Sequence, residues 1–329
     1  MRYINLGSTS IKISVVGLGA MAIGGFLSGG ADDSQSIKAI KASIDQGVNL
    51  IDTAPIYGKG RSENIVGKAI KGQRDKVILA TKCGVVWGTD KGKYMMDYAP
   101  GDPIYSYLGP EMIKKEVEDS LKRLGTDYID LYQPHQPDPT TPVEDTMEAL
   151  LDLKKEGKIR AIGICNQKVD ILSKYRKAGQ IDSIQDEYNI LQRDLEEKSI
   201  PWARENNITV LTYCTLAKGM LTGKMGPDTV FKGDDIRNNH KRFPMFAKEN
   251  MIKTNSYMEK YLKPIAKKYD ITLAQLATAF VISQENLVAL VGARNEEQAV
   301  MNAKAGDILL LPEEVDGIKK AFSKLVYQV

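Results

Sequence analysis

The chain has 329 residues, of which 43% are hydrophobic and 26% are charged. This is enough for a large buried core, organised either as two ordinary domains or as one large α/β barrel. Lysine and arginine outnumber aspartate and glutamate by 45 to 42, which leaves a net charge of only +3. So small a surplus argues against nucleic acid as the main partner, although it allows a local basic pocket for a phosphate group.

The sequence also bears on the compartment and on metal binding. The first 25 residues lack the charged-then-apolar pattern of a signal peptide, and no apolar run is long enough to span a membrane. The three cysteines are widely separated and have no CxxC spacing, which is typical of free thiols in a reducing cytosol. The two histidines, His135 and His240, match no metal-ligand pattern. We therefore expect a cytoplasmic protein without a metal site or a membrane partner.

Eight short apolar segments along the chain have the composition of β-strands that are buried on both faces. They cover residues 15–18, 48–52, 77–82, 128–132, 160–164, 181–185, 209–213 and 287–291. Helical patterns lie between them, over residues 34–46, 62–70, 110–124, 142–156, 169–178, 196–206 and 273–284. Strands that alternate with helices in this way predict a closed (β/α)8 TIM barrel, formed by residues 1–329 as one domain. A doubly wound open sheet is the alternative.

Two of the helix starts carry signals of their own. Thr141 precedes Pro142, which places a capping hydroxyl before a proline at the first helical position. Thr272 precedes a run that is rich in alanine and leucine.

Three segments depart from the alternation of strands and helices. Residues 84–109 and 216–253 are long, follow strands and contain aromatic side chains, which favours ordered lids on the catalytic face over disorder. Residues 3–5 and 11–13 flank a Gly-Ser-Thr-Ser turn near the start of the chain. They predict a hairpin that closes the opposite end of the barrel.

Functional residues are expected where the strands end, because barrel enzymes gather their chemistry at the carboxyl ends of their strands. At or just past the end of each predicted strand stands a residue that a purely structural barrel does not need: Gly19, Asp52, Lys82, His135, Asn166, Gln185, Tyr213 and Gly292. One polar residue at a strand end is usually a turn former. Eight in register predict a site.

Asp52, Tyr57 and Lys82 have the makings of a general acid with its support. A lysine inside a barrel mouth needs a carboxylate nearby, because an unpaired buried charge is unfavourable. Asp52, on the neighbouring strand, is placed to supply it. A phenol has an ordinary pKa of about 10, and a lysine ammonium beside Tyr57 favours the phenolate and lowers that pKa. The three side chains therefore predict proton transfer.

Several segments together resemble the aldo-keto reductases. They are VNLIDTAPIYGKGRSENIVGKAI, KVILATKCG, SLKRLGTDYIDLYQPHQPD, KIRAIGICNQ, TVLTYCTLAKGMLTGK and LVGARNEEQAVMNAKA, which follow one another through nearly the whole chain. The resemblance implies that Tyr57 donates the proton, Lys82 lowers its pKa, Asp52 pairs with Lys82 and His135 positions the carbonyl oxygen. Pro134 and Gln136 beside His135 depart from the family pattern, which leaves the shape of the pocket there open.

The same resemblance implies an NADPH or NADP+ cofactor that lies extended across the barrel mouth. The sequence agrees, since GLGAMAIGG lacks the GxGxxG spacing of a Rossmann fold. In this reading Asn166 and Gln185 hold the nicotinamide carboxamide, with Cys165 as a weak partner, and Tyr213 stacks on the ring. The other implied cofactor-binding residues are Gly19, Met21, Asp52, Leu216, Lys218, Gly219, Lys224, Arg237, Gly292, Arg294, Gln298 and Asn302. Arg294 is the expected partner of the 2′-phosphate, which favours NADPH over NADH.

The function implied is the interconversion of a carbonyl compound and its alcohol. The branch most similar is that of bacterial reductases of inositol and sugar metabolism, and the mixture of aromatic and polar residues in 84–109 favours a hydroxylated substrate such as a sugar or polyol. Two alternatives remain: a barrel aldolase with Lys82 as Schiff-base nucleophile, and a cofactor-binding regulatory subunit with the same fold. The substrate, the preferred direction and the oligomeric state stay open.

All three cysteines lie beside expected site residues. Either they are small, well-buried residues at tight strand ends, or Cys165 is open to alkylating reagents until bound NADPH shields it.

Overall fold

A computed structural model describes residues 1–25, 32–231 and 235–327. Its centre is a closed barrel of eight parallel strands that neighbour one another in chain order. The barrel strands are β3 (Val16–Gly19), β4 (Leu50–Asp52), β5 (Ile78–Cys83), β9 (Ile129–Pro134), β10 (Ile159–Cys165), β11 (Ser183–Glu187), β12 (Thr209–Tyr213) and β13 (Leu287–Val291). Because β13 pairs with β3, with Ala289 opposite Val16, the sheet closes on itself. This confirms the predicted barrel and rules out the open sheet.

Helices surround the barrel and cover the outer faces of its strands. The described α-helices are α1 (Met21–Gly24), α2 (Asp33–Asp45), α3 (Arg61–Ile70), α4 (Pro110–Leu124), α5 (Val143–Lys155), α6 (Val169–Ala178), α7 (Ser199–Glu205), α8 (Lys248–Tyr257), α9 (Lys263–Lys268), α10 (Leu273–Ile282), α11 (Glu296–Lys304) and α12 (Pro312–Phe322). A π-helical turn, Met258–Leu262, joins α8 to α9. Within the described ranges no helix is both long and apolar enough to cross a bilayer.

The barrel interior is a small apolar core of its own, separate from the larger core under the helices. It is built from inward side chains of the strands, among them Leu50, Leu131 and Val288. Leu6 and Ile13 join this core and are both fully buried. They come from the N-terminal hairpin of β1 (Tyr3–Asn5) and β2 (Lys12–Ser14), which pair antiparallel. The hairpin therefore closes the end of the barrel opposite the catalytic face, as predicted.

Most predicted boundaries lie within two residues of the observed ones, but two helix starts differ in kind. The helix expected over 196–206 is interrupted, with a 3-10 turn at Asp194–Glu196 and α7 beginning at Ser199. Pro142 occupies the N-cap position of α5 instead of its first turn. The Thr141 hydroxyl donates to Asp138 rather than capping the helix. Thr272 does cap α10, and its side chain and that of Gln275 form a capping box.

Residues 85–106 form a three-stranded antiparallel sheet instead of an irregular loop. Its strands are β6 (Val85–Trp87), β7 (Lys93–Asp97) and β8 (Pro103–Ser106), with β8 in the middle. We call this sheet the lid. All five residues of β7 are exposed, and β6 has only three residues. The shortness of β6 and the exposure of β7 leave no clear apolar period over this segment, which explains why the sequence pattern did not predict the sheet.

In the second long segment, the described residues are irregular as far as residue 247. It contains 3-10 turns at Ala217–Thr222, Ile236–Asn238 and Pro244–Phe246, and α8 begins at Lys248. The segment predicted to extend to Lys253 thus ends at Ala247, because α8 begins at Lys248. The helical stretch from α8 to α9 was not predicted, and the weak amphipathic character of its sequence accounts for this.

Candidate active site

The register of the barrel brings Asp52 and Lys82 together at the carboxyl ends of β4 and β5. Both side chains are buried, with Asp52 3% and Lys82 0% exposed. The Lys82 Nζ donates to Asp52 Oδ1 at 2.6 Å and to the Thr53 carbonyl oxygen at 2.9 Å, and it lies 3.4 Å from the Tyr57 hydroxyl. The buried ammonium therefore has a full set of partners, as a charge in this position requires.

Tyr57 reaches this pair because the chain after β4 folds back in a series of tight turns. The Tyr57 amide donates to the Ala54 carbonyl, and the Tyr57 carbonyl accepts from Ser62 at the start of α3. Gly58 has φ +69°, and a Cβ there would come within 2.3 Å of the Gly24 carbonyl oxygen. Only glycine fits this position. The turn fixes the phenol over the end of Lys82.

The electrostatics of the phenol differ from the sequence expectation. Burial raises the pKa of Tyr57 to about 12, and the nearby Lys82 ammonium only partly opposes this rise. The expected net lowering of the phenol pKa is therefore wrong for the protein alone, although the sign of the Lys82 effect is as predicted. Burial is the largest single effect on Lys82 and disfavours its ammonium, but the charge and hydrogen bond of Asp52, together with smaller effects of Tyr57 and Cys165, outweigh it, so the pKa of Lys82 rises. Lys82 and Tyr57 are therefore both protonated at neutral pH.

His135 follows β9, the strand that pairs with the strand of Lys82, and its ring lies beside Tyr57. The Tyr57 and His135 rings meet edge to face, with centroids 5.8 Å apart and an interplanar angle of 83°. The His135 amide donates to the Cys83 carbonyl, which ties this residue to the end of β5. Burial and the Lys82 ammonium hold the pKa of the imidazole well below its usual range. The imidazole is therefore neutral at pH 7 and has one N–H to donate.

Gln133 belongs to this site and was not singled out from the sequence. It is fully buried on β9, opposite Lys82 in register. Its Nε2 lies 3.4 Å from Asp52 Oδ2, and the same oxygen accepts from Gln185 Nε2 at 2.9 Å. Asp52 is thus held by Lys82 on one oxygen and by two amides on the other. The available signal was an uncharged polar residue inside an apolar strand, two positions before His135.

The residues expected around the nicotinamide form a chain of hydrogen bonds from β12 to the histidine. The Tyr213 hydroxyl donates to Asn166 Oδ1 at 2.8 Å, and Asn166 Nδ2 donates to the His135 carbonyl at 2.8 Å. Asn166 has φ +58°, a conformation that asparagine tolerates better than most residues. Cys165, next to it, is 1% exposed and burial raises the pKa of its thiol. Of the two alternatives for Cys165, the structure therefore favours a small, well-buried residue at a strand end over an accessible thiol.

The ends of β3 and β13 leave an open strip of backbone at the mouth. A Cβ added at Gly292 would meet no atom closer than 3.6 Å, and a Cβ added at Gly19 would meet none closer than 3.9 Å. Met21 follows on α1 and is 41% exposed. Gly292 is exposed and Gly19 is half-buried, and because neither has a side chain, an extended ligand can approach the backbone closely at both.

The segment expected to wrap the pyrophosphate begins with an unusual run of backbone conformations. Ala217, Lys218 and Gly219 all have positive φ, at 46°, 54° and 95°. The Lys218 Nζ pairs with Glu187 at 2.8 Å and lies 3.4 Å from the Cys214 sulfur. Leu216 is half-buried, and Lys224 is exposed on the rim. Of the two candidate lysines, Lys218 is already ion-paired.

At the far end of the mouth the expected phosphate-binding residues have unequal surroundings. Asn302 Nδ2 donates to the Gly292 carbonyl, and Gln298 Oε1 accepts from the Arg294 amide, so these two side chains brace the turn before α11. Arg294 itself is exposed. Arg237 instead gives its guanidinium fork to Asp235, at 2.9 and 2.6 Å. Both arginines lower the pKa of Asp235, Arg237 by hydrogen bonding and Arg294 by its charge.

Known proteins resemble this chain along almost its full length. The model of the Aldo/keto reductase family matches residues 15–322. The aldo-keto reductase YhdN of Bacillus subtilis (strain 168) is 42% identical over 91% of this chain and 86% of its own length. The NADH-specific methylglyoxal reductase of Escherichia coli (strain K12) is 40% identical over 94% of this chain and 95% of its own.

Solved structures agree with these sequence relatives. The glycerol dehydrogenase AKR11B4 from Gluconobacter oxydans superposes with a TM-score of 0.89 at 35% identity, covering 98% of this chain and 96% of that one. An aldo-keto reductase from Klebsiella pneumoniae in complex with NADPH gives 0.73 at 27% identity, covering 98% and 95%. The fold, the matched residues and the relatives all lead to one conclusion: this chain belongs to the aldo/keto reductase family.

Proposed function

We propose that this protein uses NADPH to reduce a small aldehyde or ketone to its alcohol, with Tyr57 as the proton donor. The observation that carries the proposal is the position of the Lys82 ammonium, which is 2.6 Å from Asp52 and 3.4 Å from the Tyr57 hydroxyl. A proton donor must lie within reach of a supporting charge in a site that excludes water. These three buried or half-buried side chains meet that requirement.

Four side chains have distinct roles in this proposal: those of Asp52, Tyr57, Lys82 and His135. Bound NADPH supplies a hydride to the carbonyl carbon. Tyr57 gives its proton to the carbonyl oxygen, on which negative charge develops, and Lys82 stabilises the phenolate that remains. Asp52 holds Lys82 in place and balances its charge. The neutral His135 donates its N–H to the same carbonyl oxygen and orients it for attack.

The high pKa of Tyr57 is compatible with this role. A phenol with a pKa of about 12 is fully protonated at neutral pH, as the reductive direction requires. Oxidation of an alcohol needs the phenolate instead, so it should speed up as the pH rises toward 12.

We infer that an extended dinucleotide lies in a groove that runs from Gly19 and Gly292 to Arg294. Backbone without Cβ atoms lines its middle, amide and phenol groups of Asn166, Gln185 and Tyr213 line one end, and an exposed arginine stands at the other. An arginine fork favours a 2′-phosphate and hence NADPH. Because one relative is named NADH-specific, the preference for NADPH is a proposal to be measured, not assumed.

The proposed substrates are small carbonyl compounds that carry hydroxyl or oxo groups. Two relatives are named for methylglyoxal and glycerol, both three-carbon compounds. The lid offers the aromatic side chains Trp87 and Tyr98, packed on the same apolar residues as Tyr57, and such aromatic faces suit a sugar, a polyol or a short oxo-aldehyde. A role in sugar or polyol metabolism, a cytoplasmic location and a single domain over 1–329 stay predictions.

A Schiff-base aldolase is disfavoured by the state of Lys82. A nucleophilic amine must be neutral and accessible, whereas Lys82 is fully buried, paired with Asp52 and has a raised pKa.

The test is NADPH consumption, followed at 340 nm, across a panel of methylglyoxal, glyceraldehyde, simple aldehydes and sugars. We expect turnover with at least the three-carbon aldehydes, and its loss in Tyr57→Phe. Tight NADPH binding without turnover of any carbonyl compound would favour the regulatory-subunit alternative. Covalent trapping of substrate on Lys82 by borohydride would favour the aldolase.

A further inference from the structure

The lid packs directly on the turn that carries Tyr57. Ala54 and Ile56 of that turn form a buried apolar cluster with Val85 and Ile104 of the lid. Tyr57 itself, Trp87 and Tyr98 are partly buried against the same cluster. One wall of the space beside the proposed proton donor is therefore made by the lid.

A single polar side chain reinforces this contact. Lys59, two residues after Tyr57, forms an ion pair with Asp102 in the turn between β7 and β8. Its Nζ also lies 4.9 Å from the centre of the Tyr98 ring and 5.5 Å from that of Trp87. A cation that faces two rings and a carboxylate is held more firmly than in an isolated surface pair.

The backbone around Lys59 is constrained as well. Gly58, Lys59 and Gly60 have φ of +69°, +48° and +92°, and Lys59 is the only one of the three with a side chain. The Gly60 amide donates to the Pro55 carbonyl at 2.6 Å, which closes the turn. A lysine in the left-handed region is disfavoured on its own, so its contacts with the lid offset that strain.

We propose that Lys59 is a positioning residue that clamps the lid onto the Tyr57 turn and thereby limits the size of the carbonyl compound admitted. This inference rests on the proposed function. Because Asp102 neutralises the ammonium, Lys59 does not serve to bind an anionic substrate. Its contacts need no substrate, so the wall is set before binding, and small carbonyl compounds gain affinity where bulky ones are shut out.

The chain offers a matched control on the same lid. Lys91, in the turn between β6 and β7, pairs with Glu111 of α4 at 2.9 Å and lies 5.6 Å from the Tyr107 ring. Lys91→Met removes the same kind of interaction from the side of the lid away from Tyr57. Lys59→Arg keeps the positive charge at an identical backbone cost. If Lys59→Met folds poorly, Asp102→Asn removes the same ion pair by changing its more exposed partner.

The experiment compares kcat and KM for methylglyoxal and for 4-nitrobenzaldehyde in the wild type and these variants. In Lys59→Met we expect KM for methylglyoxal to rise about three- to tenfold with kcat nearly unchanged, since one partly exposed cation is lost. The preference for the aromatic aldehyde should rise by a similar factor. Asp102→Asn should shift the same way, the double variant should be no worse than Lys59→Met, and Lys59→Arg and Lys91→Met should resemble the wild type.

The outcomes separate this inference from the proposed function. Normal wild-type turnover with Lys59→Met indistinguishable from Lys91→Met would overturn the inference alone. A fall in kcat with KM unmoved would do the same, because it would place Lys59 in the chemical step. A wild type that reduces no carbonyl compound would overturn the proposed function, and with it the basis for a size limit.

Discussion

The two ends of the proposed cofactor groove are built in different ways. At the catalytic end every polar group near Asp52 belongs to a barrel strand or the turn after it, and the carboxylate is held by Lys82, Gln185 and Gln133. At the adenosine end Arg294 is exposed and Arg237 is occupied by its neighbour Asp235. The strands fix the first set, while loops and a helix start carry the second.

The difference indicates where function tolerates change. A buried charge network has no spare solvation, so the loss of one member leaves another unpaired. An exposed arginine can be lost with no such penalty to the fold. Substitutions at the catalytic end should therefore affect the chemical step or stability, and those at the adenosine end should affect only which cofactor binds.

The largest effect is expected from Tyr57→Phe. It removes the proton donor while leaving the ring packed against His135, so kcat should fall by about 10²–10⁴-fold. The Kd for NADPH, measured by fluorescence titration, should change little. If cofactor affinity collapses together with turnover, or if turnover survives, Tyr57 is not the general acid and the two ends are not separable.

At the other end, Arg294→Ala should weaken NADPH but not NADH. Loss of a charge-assisted contact to the 2′-phosphate is worth about 1.5–3 kcal/mol, or roughly one to two decades in Kd. Titration of both cofactors against wild type and variant checks this. The matched change Arg237→Ala should have a smaller effect, because Asp235 already holds that guanidinium. Equal weakening of NADPH and NADH by Arg294→Ala would place the arginine away from the phosphate.

Glu116 makes the support of the catalytic end sensitive to pH. Its carboxyl group accepts a hydrogen bond from the Gly84 amide at the end of β5. Burial, helped by the charge of Glu63, raises the pKa of Glu116 from 4.5 to about 8, although the hydrogen bond from Gly84 and the charge of Arg123 oppose this rise. The folded protein then keeps a proton that the unfolded chain loses between these values. The free energy of unfolding should therefore fall as the pH rises from 4.5 to 8, by at most about 1.4 kcal/mol per pH unit from this group.

Glu116→Gln should flatten that dependence, because the amide stays neutral and still offers an oxygen to Gly84. Urea unfolding at several pH values between 5 and 8 measures the slope in each protein. Identical slopes in wild type and variant would mean that Glu116 ionises in the fold as easily as in water.

The smallest effect concerns the cysteines. Cys165 is buried beside Asn166, whereas Cys214 is half-buried beside Lys218, with a pKa raised to about 11 mainly by burial. Iodoacetamide at pH 8 should leave Cys165 unmodified and label Cys214 slowly, as mass mapping would report. Labelling of Cys165 in the absence of NADPH would instead support the alternative that this thiol is open to alkylating reagents until NADPH shields it.

The sequence was sufficient where position along a strand decides the outcome. Asp52 and Lys82 could be paired in advance because parallel strands end on one face, and residues 3–5 and 11–13 could be placed in a hairpin from the turn between them. It was insufficient where burial competes with charge. The pKa of Tyr57 rises because desolvation exceeds the effect of Lys82. The sequence alone does not give the extent to which a side chain is buried.

Short-range pairing in loops also escaped prediction. Arg237 is the second candidate for the cofactor phosphate after Arg294, and the sequence did not indicate that Asp235, two residues away, pairs with its guanidinium. Lys59 was not considered at all. Its importance depends on the lid, whose strands carry too few buried residues to be recognised.

The closure of the barrel has a consequence for how the chain folds. Val16 pairs with Ala289, and Leu6 in the hairpin shares the barrel-interior core with Leu211 and Val288, so the hairpin and β3 complete their contacts only once residues 211–289 have been synthesised. Contacts that distant in sequence slow the search for the native state. Until then the apolar hairpin and the inner faces of the early strands stay uncovered, which makes the nascent chain, rather than the finished enzyme, the form most in need of a chaperone.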